Sequence, residues 1–229
     1  MTRFTITTAL LAAVAAIAPV AAQADVRITE FMYKGANDGD REFFELTNIG
    51  NAAIDITGWT YNDDNPNNPV AFGNAFGLLA ANESIILTEM TADAFRSYWG
   101  LSSSVRIFSI GGNSNLGNGD TINIYNSSTQ SLATLVDSVT YSSGTTAGIS
   151  RNRPVGLSGA ATNAQFVYSA AGDSYGSAYA SGAQSDLANP GRFPVQTAAV
   201  PEPATWAMMI GGFALVGLRA RRTRKAAFA

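Results

Sequence analysis

The chain has 229 residues, of which 46% are hydrophobic and 14% charged, and its formal net charge is −3, so it can hold one sizeable domain plus targeting segments. It contains no cysteine and no histidine, which excludes disulfide bonds, thiol nucleophiles, zinc sites built on Cys or His, and acid–base catalysis by histidine. Between residues 25 and 200 the only lysine is Lys34, and no Ser–Lys catalytic motif surrounds it.

The first 24 residues have the organisation of a secretory signal peptide. Arg3 gives a positive start, residues 9–20 form an apolar run, and Ala22-Gln23-Ala24 is an A-x-A cleavage site. Cleavage there makes Asp25 the mature N-terminus and implies signal peptidase as a partner. A first transmembrane helix is the alternative, which the shortness of the apolar run disfavours.

Residues 25–151 have the pattern of an all-β domain. Runs of β-branched and aromatic residues, separated by turn residues, occur at 26–33, 42–48, 54–64, 105–110, 120–125 and 132–141, and residues 78–88 indicate a turn followed by a buried strand. This spacing predicts the seven or eight short strands of a β-sandwich. Residues 42–48 and 54–64 flank Ile49-Gly50-Asn51 and are expected to form a β-hairpin, with a bulge at Gly58 and Trp59 as a core anchor.

Two glutamates share strand parity with apolar neighbours. Glu30 alternates with Ile28 and Met32, and Glu42 alternates with Phe44. Because a buried carboxylate must be hydrogen-bonded or neutralised, we expect each to accept backbone N–H groups at a strand end. The alternative is a Glu30–Glu42 pair acting in glycoside hydrolysis, for which the sequence indicates no cleft.

Two loops collect oxygen ligands of the kind that calcium prefers. Residues 37–40 include Asp38 and Asp40, and residues 62–69 include Asp63 and Asp64. Neither loop has the spaced D-x-[DN]-x-[DN]-G pattern with a distant Glu, and all these residue types are common in turns. Turn formation is the preferred interpretation, and calcium is the only cofactor that the sequence brings into consideration.

One short helix is predicted in the domain. Thr91 can cap its N-terminus, and Gly100 lies just past its end. Phe95 and Trp99 are four residues apart and are expected to close one end of the sandwich. The alternative is an exposed aromatic platform for sugars, made by Tyr98 and Trp99.

Residues 152–199 are rich in Gly, Ala and Ser and have little periodicity. This composition predicts an irregular, mobile closing segment and linker, with a short strand at residues 165–168.

The last thirty residues, 200–229, form a second targeting segment. Val200-Pro201-Glu202-Pro203 precedes an uncharged run of 15 residues, 204–218, which is shorter than the ~20 residues that span a bilayer comfortably. We therefore expect Trp206 and a basic cluster to anchor the run at the two interfaces. The basic cluster consists of Arg219, Arg221, Arg222, Arg224 and Lys225.

The stretch Glu42-Phe43-Phe44-Glu45-Leu46-Thr47-Asn48, followed by Ile54-Asp55-Ile56-Thr57-Gly58-Trp59, resembles the lamin tail domain. Residues 28–33, 119–124 and 135–141 fit that family in order, so the resemblance covers residue 26 to about residue 151. It implies an immunoglobulin-like β-sandwich, the fold that this family has in nuclear lamins and in many exported bacterial proteins. Position 43 is Phe where the family more usually has Trp.

The C-terminal segment resembles the PEP-CTERM sorting tail of exopolysaccharide-producing bacteria, because motif, apolar run and basic cluster follow one another in the same order. The resemblance implies recognition and cleavage by an exosortase-like membrane protease. The product would be released from an inner-membrane precursor to the cell surface or extracellular matrix. A permanent single-pass anchor is the alternative.

The exported part has 16 acidic and 8 basic residues between residues 25 and 200, a net charge of −8. Phosphate neutralisation needs the opposite sign, so DNA binding is disfavoured although the family resemblance suggests it for some relatives. The sequence thus predicts a non-enzymatic surface or matrix module that mediates adhesion or contacts proteins or exopolysaccharide. Alternatives are a calcium-dependent or carbohydrate-binding module and a nuclease-associated accessory domain.

Overall fold

The computed structural model describes residues 25–195, except residues 38, 66, 112–115, 143–145, 158–159 and 182–184. The described residues fall within one compact unit. The predicted signal peptide, the sorting motif, Trp206 and the basic cluster lie outside them. Within the described ranges, no helix combines the length and the apolar character that crossing a membrane requires.

The described chain is mostly β-structure with one short α-helix. The strands are β1 (Val26–Met32), β2 (Phe43–Asn48), β3 (Ile54–Asp55), β4 (Thr60–Asn62), β5 (Val70–Ala71), β6 (Leu78–Leu79), β7 (Ser84–Thr88), β8 (Arg106–Ser109), β9 (Asp120–Tyr125), β10 (Leu135–Tyr141), β11 (Arg151–Asn152), β12 (Val167–Tyr168), β13 (Ala178–Tyr179) and β14 (Leu187–Ala188). Helix α1 spans Ala92–Trp99, and two single 3-10 turns occur at Gly39–Arg41 and Asn163–Gln165.

Two main sheets form the β-sandwich. The larger has the order β12-β11-β1-β2-β7-β8 and is antiparallel except for the parallel pair β7–β8. The smaller has the order β10-β9-β4-β5, and two further two-stranded sheets pair β3 with β6 and β13 with β14. This architecture agrees with the predicted all-β sandwich containing one helix.

Aromatic side chains from both sheets meet in the core between them. Phe44 of β2 contacts Tyr61 of β4 with ring centroids 4.7 Å apart, and Phe31 of β1 contacts Tyr141 of β10 at 5.2 Å. Full burial of side chains of this size contributes roughly 1.5–3 kcal/mol each to folding. Trp59 is only 6% exposed and belongs to the same core, which confirms its predicted role as an anchor.

The predicted hairpin between residues 42–48 and 54–64 is wrong. β2 pairs with β1 and β7, whereas β3 pairs with β6 and β4 enters the smaller sheet. Gly58 has a φ of +74° and lies in the turn between β3 and β4, not in a bulge within one strand. Its left-handed backbone lets the chain leave one sheet and enter the other.

The predicted common face of Ile28, Glu30 and Met32 is also wrong. The register of β1 against β2 shifts between Ile28 and Glu30, so Thr29 is the extra residue of a β-bulge. Ile28 and Phe31 therefore face the core between the sheets, while Met32 lies in a second cluster on the other side of the larger sheet. We call that side the outer face of the six-stranded sheet.

Helix α1 has the predicted boundaries and covers part of this outer face. The Thr91 hydroxyl accepts from Ala94 N at 3.3 Å, and Gly100 closes the helix with φ +66°. Phe95 is fully buried, and its ring lies 5.3 Å from that of Phe43. The helix thus packs on a sheet face and does not close an end of the sandwich as expected.

Residues 152–195 belong to the folded unit and are not the linker that their composition predicts. β11 and β12 extend the six-stranded sheet beside β1, and Leu187 forms a parallel bridge with Ile149. Arg153 is completely buried, with Nη1 3.6 Å from Asp137 Oδ2. The segment is poor in long strands, but polar side chains and short ladders hold it on the sheet.

Gly148 offers a test of this packing because Gly172 is a matched control. Both have a φ of +75°, but an added Cβ at Gly148 would lie 2.5 Å from Ala36 Cβ, while nothing lies within 4 Å at Gly172. We expect Gly172→Ala to lower the free energy of unfolding by roughly 1–2 kcal/mol, the cost of the backbone conformation alone. Gly148→Ala should cost about 1–3 kcal/mol more, because the overlap must be relieved by moving the chain.

Urea unfolding of the two variants beside the wild type measures the difference. Equal losses of stability would show that residues 146–150 do not pack closely on residues 34–36.

Candidate binding face and buried carboxylates

The outer face of the four-stranded sheet carries polar, uncharged side chains in cross-strand rows. In β9, Ile122 and Ile124 are buried in the core, and the alternating residues point to the opposite face. Asn123 is paired with Asn62 of β4 on one side and with Ser138 of β10 on the other. The half-buried or exposed residues of this face are Thr121, Asn123, Tyr125, Ser138 and Thr140.

Hydrogen bonds join the middle row into a continuous ladder. The Ser138 hydroxyl donates to Asn123 Oδ1 at 2.7 Å, and Asn123 Nδ2 donates to Asn62 Oδ1 at 2.9 Å. Asn62 Nδ2 in turn donates to Gln130 Oε1 at 2.6 Å. Each carboxamide has two N–H donors and an oxygen with two lone pairs, so an ordered amide row can extend to a further hydroxyl-bearing partner. We call Thr121, Asn123, Tyr125, Ser138 and Thr140, together with Asn62 and Gln130, the amide face.

Acidic residues lie at one end of the amide face. Asp120 begins β9, and Asp63 and Asp64 follow β4 directly. Burial raises the pKa of Asp120, and the charges of Asp63 and Asp64 add to that rise. The negative potential at this end disfavours an anionic ligand.

The loop with Asp63 and Asp64 is built from consecutive turns stabilised by side-chain oxygens. Asn62 Oδ1 accepts from Asp64 N at 3.2 Å, and Asp63 Oδ1 accepts from Asn65 N at 3.4 Å. Asp64 has a left-handed φ of +74°. These contacts fit the preferred interpretation of the loop as turn chemistry.

The other acidic loop is only partly described. Asp38 lies outside the described residues, and Asp40 lies in the 3-10 turn Gly39–Arg41. Among the residues that the structure covers, no three or more acidic side chains are arranged to hold a metal ion. The structure therefore does not bring Asp40, Asp63 and Asp64 together in one cation site.

Glu42 is a buried carboxyl at the start of β2. It is 3% exposed, and the backbone N–H of Leu116 donates to its Oε1. Burial raises its pKa to about 9, the Leu116 hydrogen bond opposes that rise, and the charges of Glu89, Asp40 and Asp120 add to it. The prediction that Glu42 accepts a backbone N–H is confirmed.

Glu30 is completely buried and also accepts a backbone N–H, as predicted. Its Oε1 accepts from Asn189 N at 2.9 Å and from the Ser150 hydroxyl at 2.5 Å. Glu30 and Glu42 thus accept hydrogen bonds from different segments of the chain, and both are buried. This does not favour the alternative of an accessible Glu30–Glu42 pair for glycoside hydrolysis.

Glu45 is a buried carboxylate that the sequence analysis missed, as it did Asp137 and Asp186. It is the direct cross-strand partner of Glu30, and its oxygens accept from the Thr29 hydroxyl at 2.6 Å and from Gly191 N at 2.7 Å. Its position between two core residues, Phe44 and Leu46, resembled a solvent-facing strand position. A second layer over the outer face, which local periodicity cannot reveal, makes that position interior.

Tyr98 and Trp99 do not form a platform for sugars. The Tyr98 hydroxyl donates to Asp186 Oδ2 at 2.7 Å, and Arg41 lies over its ring at 4.4 Å. Trp99 packs edge to face on Phe43, with centroids 6.0 Å apart. Both aromatic side chains are used within the fold.

Comparison with known proteins gives two family matches. Residues 19–143 match the Lamin Tail Domain, and residues 199–225 match the PEP-CTERM protein-sorting motif. Among solved structures, the chain is similar to a DUF4876 family protein from Bacteroides thetaiotaomicron VPI-5482. The identity is 11% and the TM-score 0.43, over 78% of this chain and 74% of that one. No curated protein matches the chain.

Glu42 makes the free energy of unfolding depend on pH, and Glu42→Gln should remove this contribution. Because its pKa is raised from the usual 4.5 to about 9, the folded state holds a proton that the unfolded state loses, and stability falls as pH rises between those values. We expect Glu42→Gln to exceed the wild type in free energy of unfolding at pH 8 by about 1–4 kcal/mol. The two should be similar near pH 4.5.

Denaturant unfolding at several pH values measures this effect, and Asp93→Asn is the control because the Asp93 side chain is fully exposed. A Glu42→Gln variant that is less stable than the wild type by the same amount at every pH would show that Glu42 is ionised in the fold.

Proposed function

The chain belongs to the lamin tail domain family, and on that premise we propose that it is a non-enzymatic surface module that binds a neutral polysaccharide through the amide face. The observation that carries the proposal is the ordered ladder of Ser138, Asn123, Asn62 and Gln130 beside Tyr125. Sugars present hydroxyl groups around apolar ring faces. A row of fixed amides next to a tyrosine ring matches both features.

Order in the free protein supports binding by this face. Asn123 and Asn62 are held on neighbouring strands by main-chain pairing and by each other's side chains. Side chains that are already ordered lose little conformational entropy when a ligand arrives, so more of the contact energy appears as affinity.

Charge favours a neutral polymer over an anionic one. The amide face has no charged side chain, Asp63, Asp64 and Asp120 lie at its end, and residues 25–200 carry 16 acidic against 8 basic residues. Nucleic acids and polyuronates would meet a repulsive potential as they approach. We therefore do not favour the alternative of a DNA-directed accessory domain.

The buried carboxyl groups of the domain are too enclosed to act on a bound polymer. Glu30, Glu42, Glu45, Asp137 and Asp186 are all buried and hydrogen-bonded within the fold. General acid–base chemistry requires a carboxyl within reach of the substrate.

The location of the module follows from its C-terminal segment. The PEP-CTERM motif at residues 199–225 marks an exported protein that is processed by an exosortase, a membrane protease. With signal peptidase acting after Ala24, the proposed product is the folded domain displayed on the cell surface or in the matrix. There it can attach to polysaccharide that the cell exports.

Replacing Tyr125 by Ala tests the proposed face. We expect this variant to bind a neutral polysaccharide roughly tenfold more weakly than the wild type, which corresponds to the loss of one aromatic contact of about 1.4 kcal/mol. Affinity electrophoresis through gels containing a panel of neutral glucans and galactomannans measures the retardation, with polygalacturonate as the anionic counterpart. Running the gels with and without calcium detects any dependence on the ion.

Tyr179→Ala is the matched control, because Tyr179 is 52% exposed and lies on β13, in a different sheet. It should be retarded like the wild type. Retardation by polygalacturonate, equal effects of both substitutions, or shortening of the polymer during incubation would contradict the proposal.

Processing of both termini can be tested by intact mass in the native host. We expect a product that starts at Asp25 and ends close to residues 200–203. Replacing Pro201, Glu202 and Pro203 together by Ala should leave a membrane-associated species that still ends at Ala229, while replacing Gln196, Thr197 and Ala198 by Gly should not. A wild-type species ending at Ala229 would mean that the segment is a permanent anchor.

A further inference from the structure

Glu30 and Glu45 differ in how completely their oxygens are hydrogen-bonded. Glu45 Oε1 accepts from the hydroxyls of Thr29 and Thr47, and Glu45 Oε2 accepts from Gly191 N. Glu30 Oε1 accepts from Ser150 and Asn189, but its Oε2 is buried with no hydrogen-bond donor. One carboxyl is therefore saturated with donors and the other is not.

The neighbour of Glu30 on the other side has the same deficit. Asn152 of β11 is the direct cross-strand partner of Glu30, so its side chain lies on the same face of the sheet as those of Glu30 and Glu45. Asn152 Nδ2 donates to Ser169 and Asn189, while its Oδ1 is buried with no donor. Two unpartnered acceptors on adjacent strands would each cost roughly 1–3 kcal/mol.

We propose that Glu30 binds a proton at Oε2 in the folded protein and donates it to Asn152 Oδ1, while Glu45 stays ionised, and that this proton holds residues 186–191 on the outer face of the sheet. We call residues 186–191 the latch. A single proton supplies the missing donor to both atoms at once. It also removes one of two negative charges that face each other across neighbouring strands.

The groups around Glu30 and Glu45 also favour the proton on Glu30. Burial raises the pKa of Glu30, the neighbouring Glu45 and Asp173 raise it further, and Ser150 and Asn189 oppose the shift. Burial also raises the pKa of Glu45, but Thr29, Gly191, Thr47 and Ser84 oppose it. Asp186 on the latch faces Tyr98, Ala36 N and Arg41.

The bound proton makes docking of the latch dependent on pH. A carboxyl with a raised pKa is stabilising while protonated, so the docked state is favoured at low pH and weakens as pH rises toward the pKa of Glu30 in the fold. Ionised Glu30 would face ionised Glu45, and its Oε2 and Asn152 Oδ1 would be left buried without a donor, so the docked state would lose stability relative to one that admits water. The latch lies after the lamin tail match and before the sorting motif, so alkaline conditions would free the chain that joins the module to its tail.

Two glutamine substitutions test the assignment. Glu30→Gln places an amide N–H where the proton is proposed to be, so it should keep the latch docked at both pH 6 and pH 9. Glu45 accepts from Gly191 N at one oxygen and from the hydroxyls of Thr29 and Thr47 at the other. Glu45→Gln has a single side-chain oxygen for these donors, so it should loosen the latch at both pH values. Hydrogen exchange of the peptide covering residues 186–191, measured by mass spectrometry on the full chain, reports docking.

At pH 9 the wild-type latch should exchange roughly tenfold faster than that of Glu30→Gln, and at pH 6 the two should be equal. The β7 peptide, with the same sequence in all variants, is the reference. Because Glu42 also holds a proton at pH 6, the spectra are compared in a Glu42→Gln background. There the infrared spectrum at pH 6 should contain a protonated carboxyl band that Glu30→Gln removes and Asp93→Asn leaves unchanged, which keeps the test decisive if Glu45→Gln fails to fold.

Three results would overturn the proposal. Faster latch exchange in Glu30→Gln than in Glu45→Gln would place the proton on Glu45. A pH 6 spectrum in the Glu42→Gln background from which Glu30→Gln removes no band would show Glu30 ionised. Protection of the latch by added sodium or calcium at constant ionic strength, lost in Glu30→Gln, would show that a cation and not a proton occupies the two acceptors.

Discussion

A carboxylate removed from water must be hydrogen-bonded or neutralised, and the described domain buries five of them. Each one accepts a backbone N–H from a distant part of the chain, so each fastens two segments that local structure does not connect. The pairs are Glu30 with Asn189, Glu42 with Leu116, Glu45 with Gly191, Asp137 with Ile28 and Asp186 with Ala36. Once these groups are inside, an undocked segment would leave a buried carboxyl oxygen without its donor, and the closing residues are therefore as necessary to the fold as the sandwich itself.

The two outer faces of the sandwich have different roles as a result. The outer face of the six-stranded sheet is covered by α1 and by residues 186–191, and Phe95 of the helix shares an apolar cluster with Phe43 and Ile86 of the sheet. The outer face of the four-stranded sheet keeps Thr121, Asn123, Tyr125, Ser138 and Thr140 half-buried or exposed, whereas Asn62 is buried in its contact with Gln130. Structural burial and the proposed recognition of a ligand are thus separated onto opposite sides of one core, and substitutions on the amide face should leave the buried carboxylates undisturbed.

The family match and the folded unit do not end at the same place. The lamin tail match stops at residue 143, whereas Arg153, Asn152 and Asp186 are among the most deeply buried polar residues of the described domain. The match therefore covers most of the two main sheets, and the residues after it complete the larger sheet and cover its outer face. Any truncation designed from the family boundary alone would expose Glu30 and Glu45.

The sequence by itself determined the class of the fold, the helix from its caps at Thr91 and Gly100, the family through the segment around Gly58-Trp59, and the sorting motif. These features depend on residues close together in the chain, so period, capping and motif order report them. Only the tertiary structure decided which strands pair, where β1 has its bulge, that Glu45 is interior, and that residues 152–195 are part of the domain. Those outcomes depend on contacts between residues distant in the chain, from the pairing of Glu30 with Glu45 to the hydrogen bond of Asn189 with Glu30, and no local pattern of hydrophobic and polar residues encodes such partners.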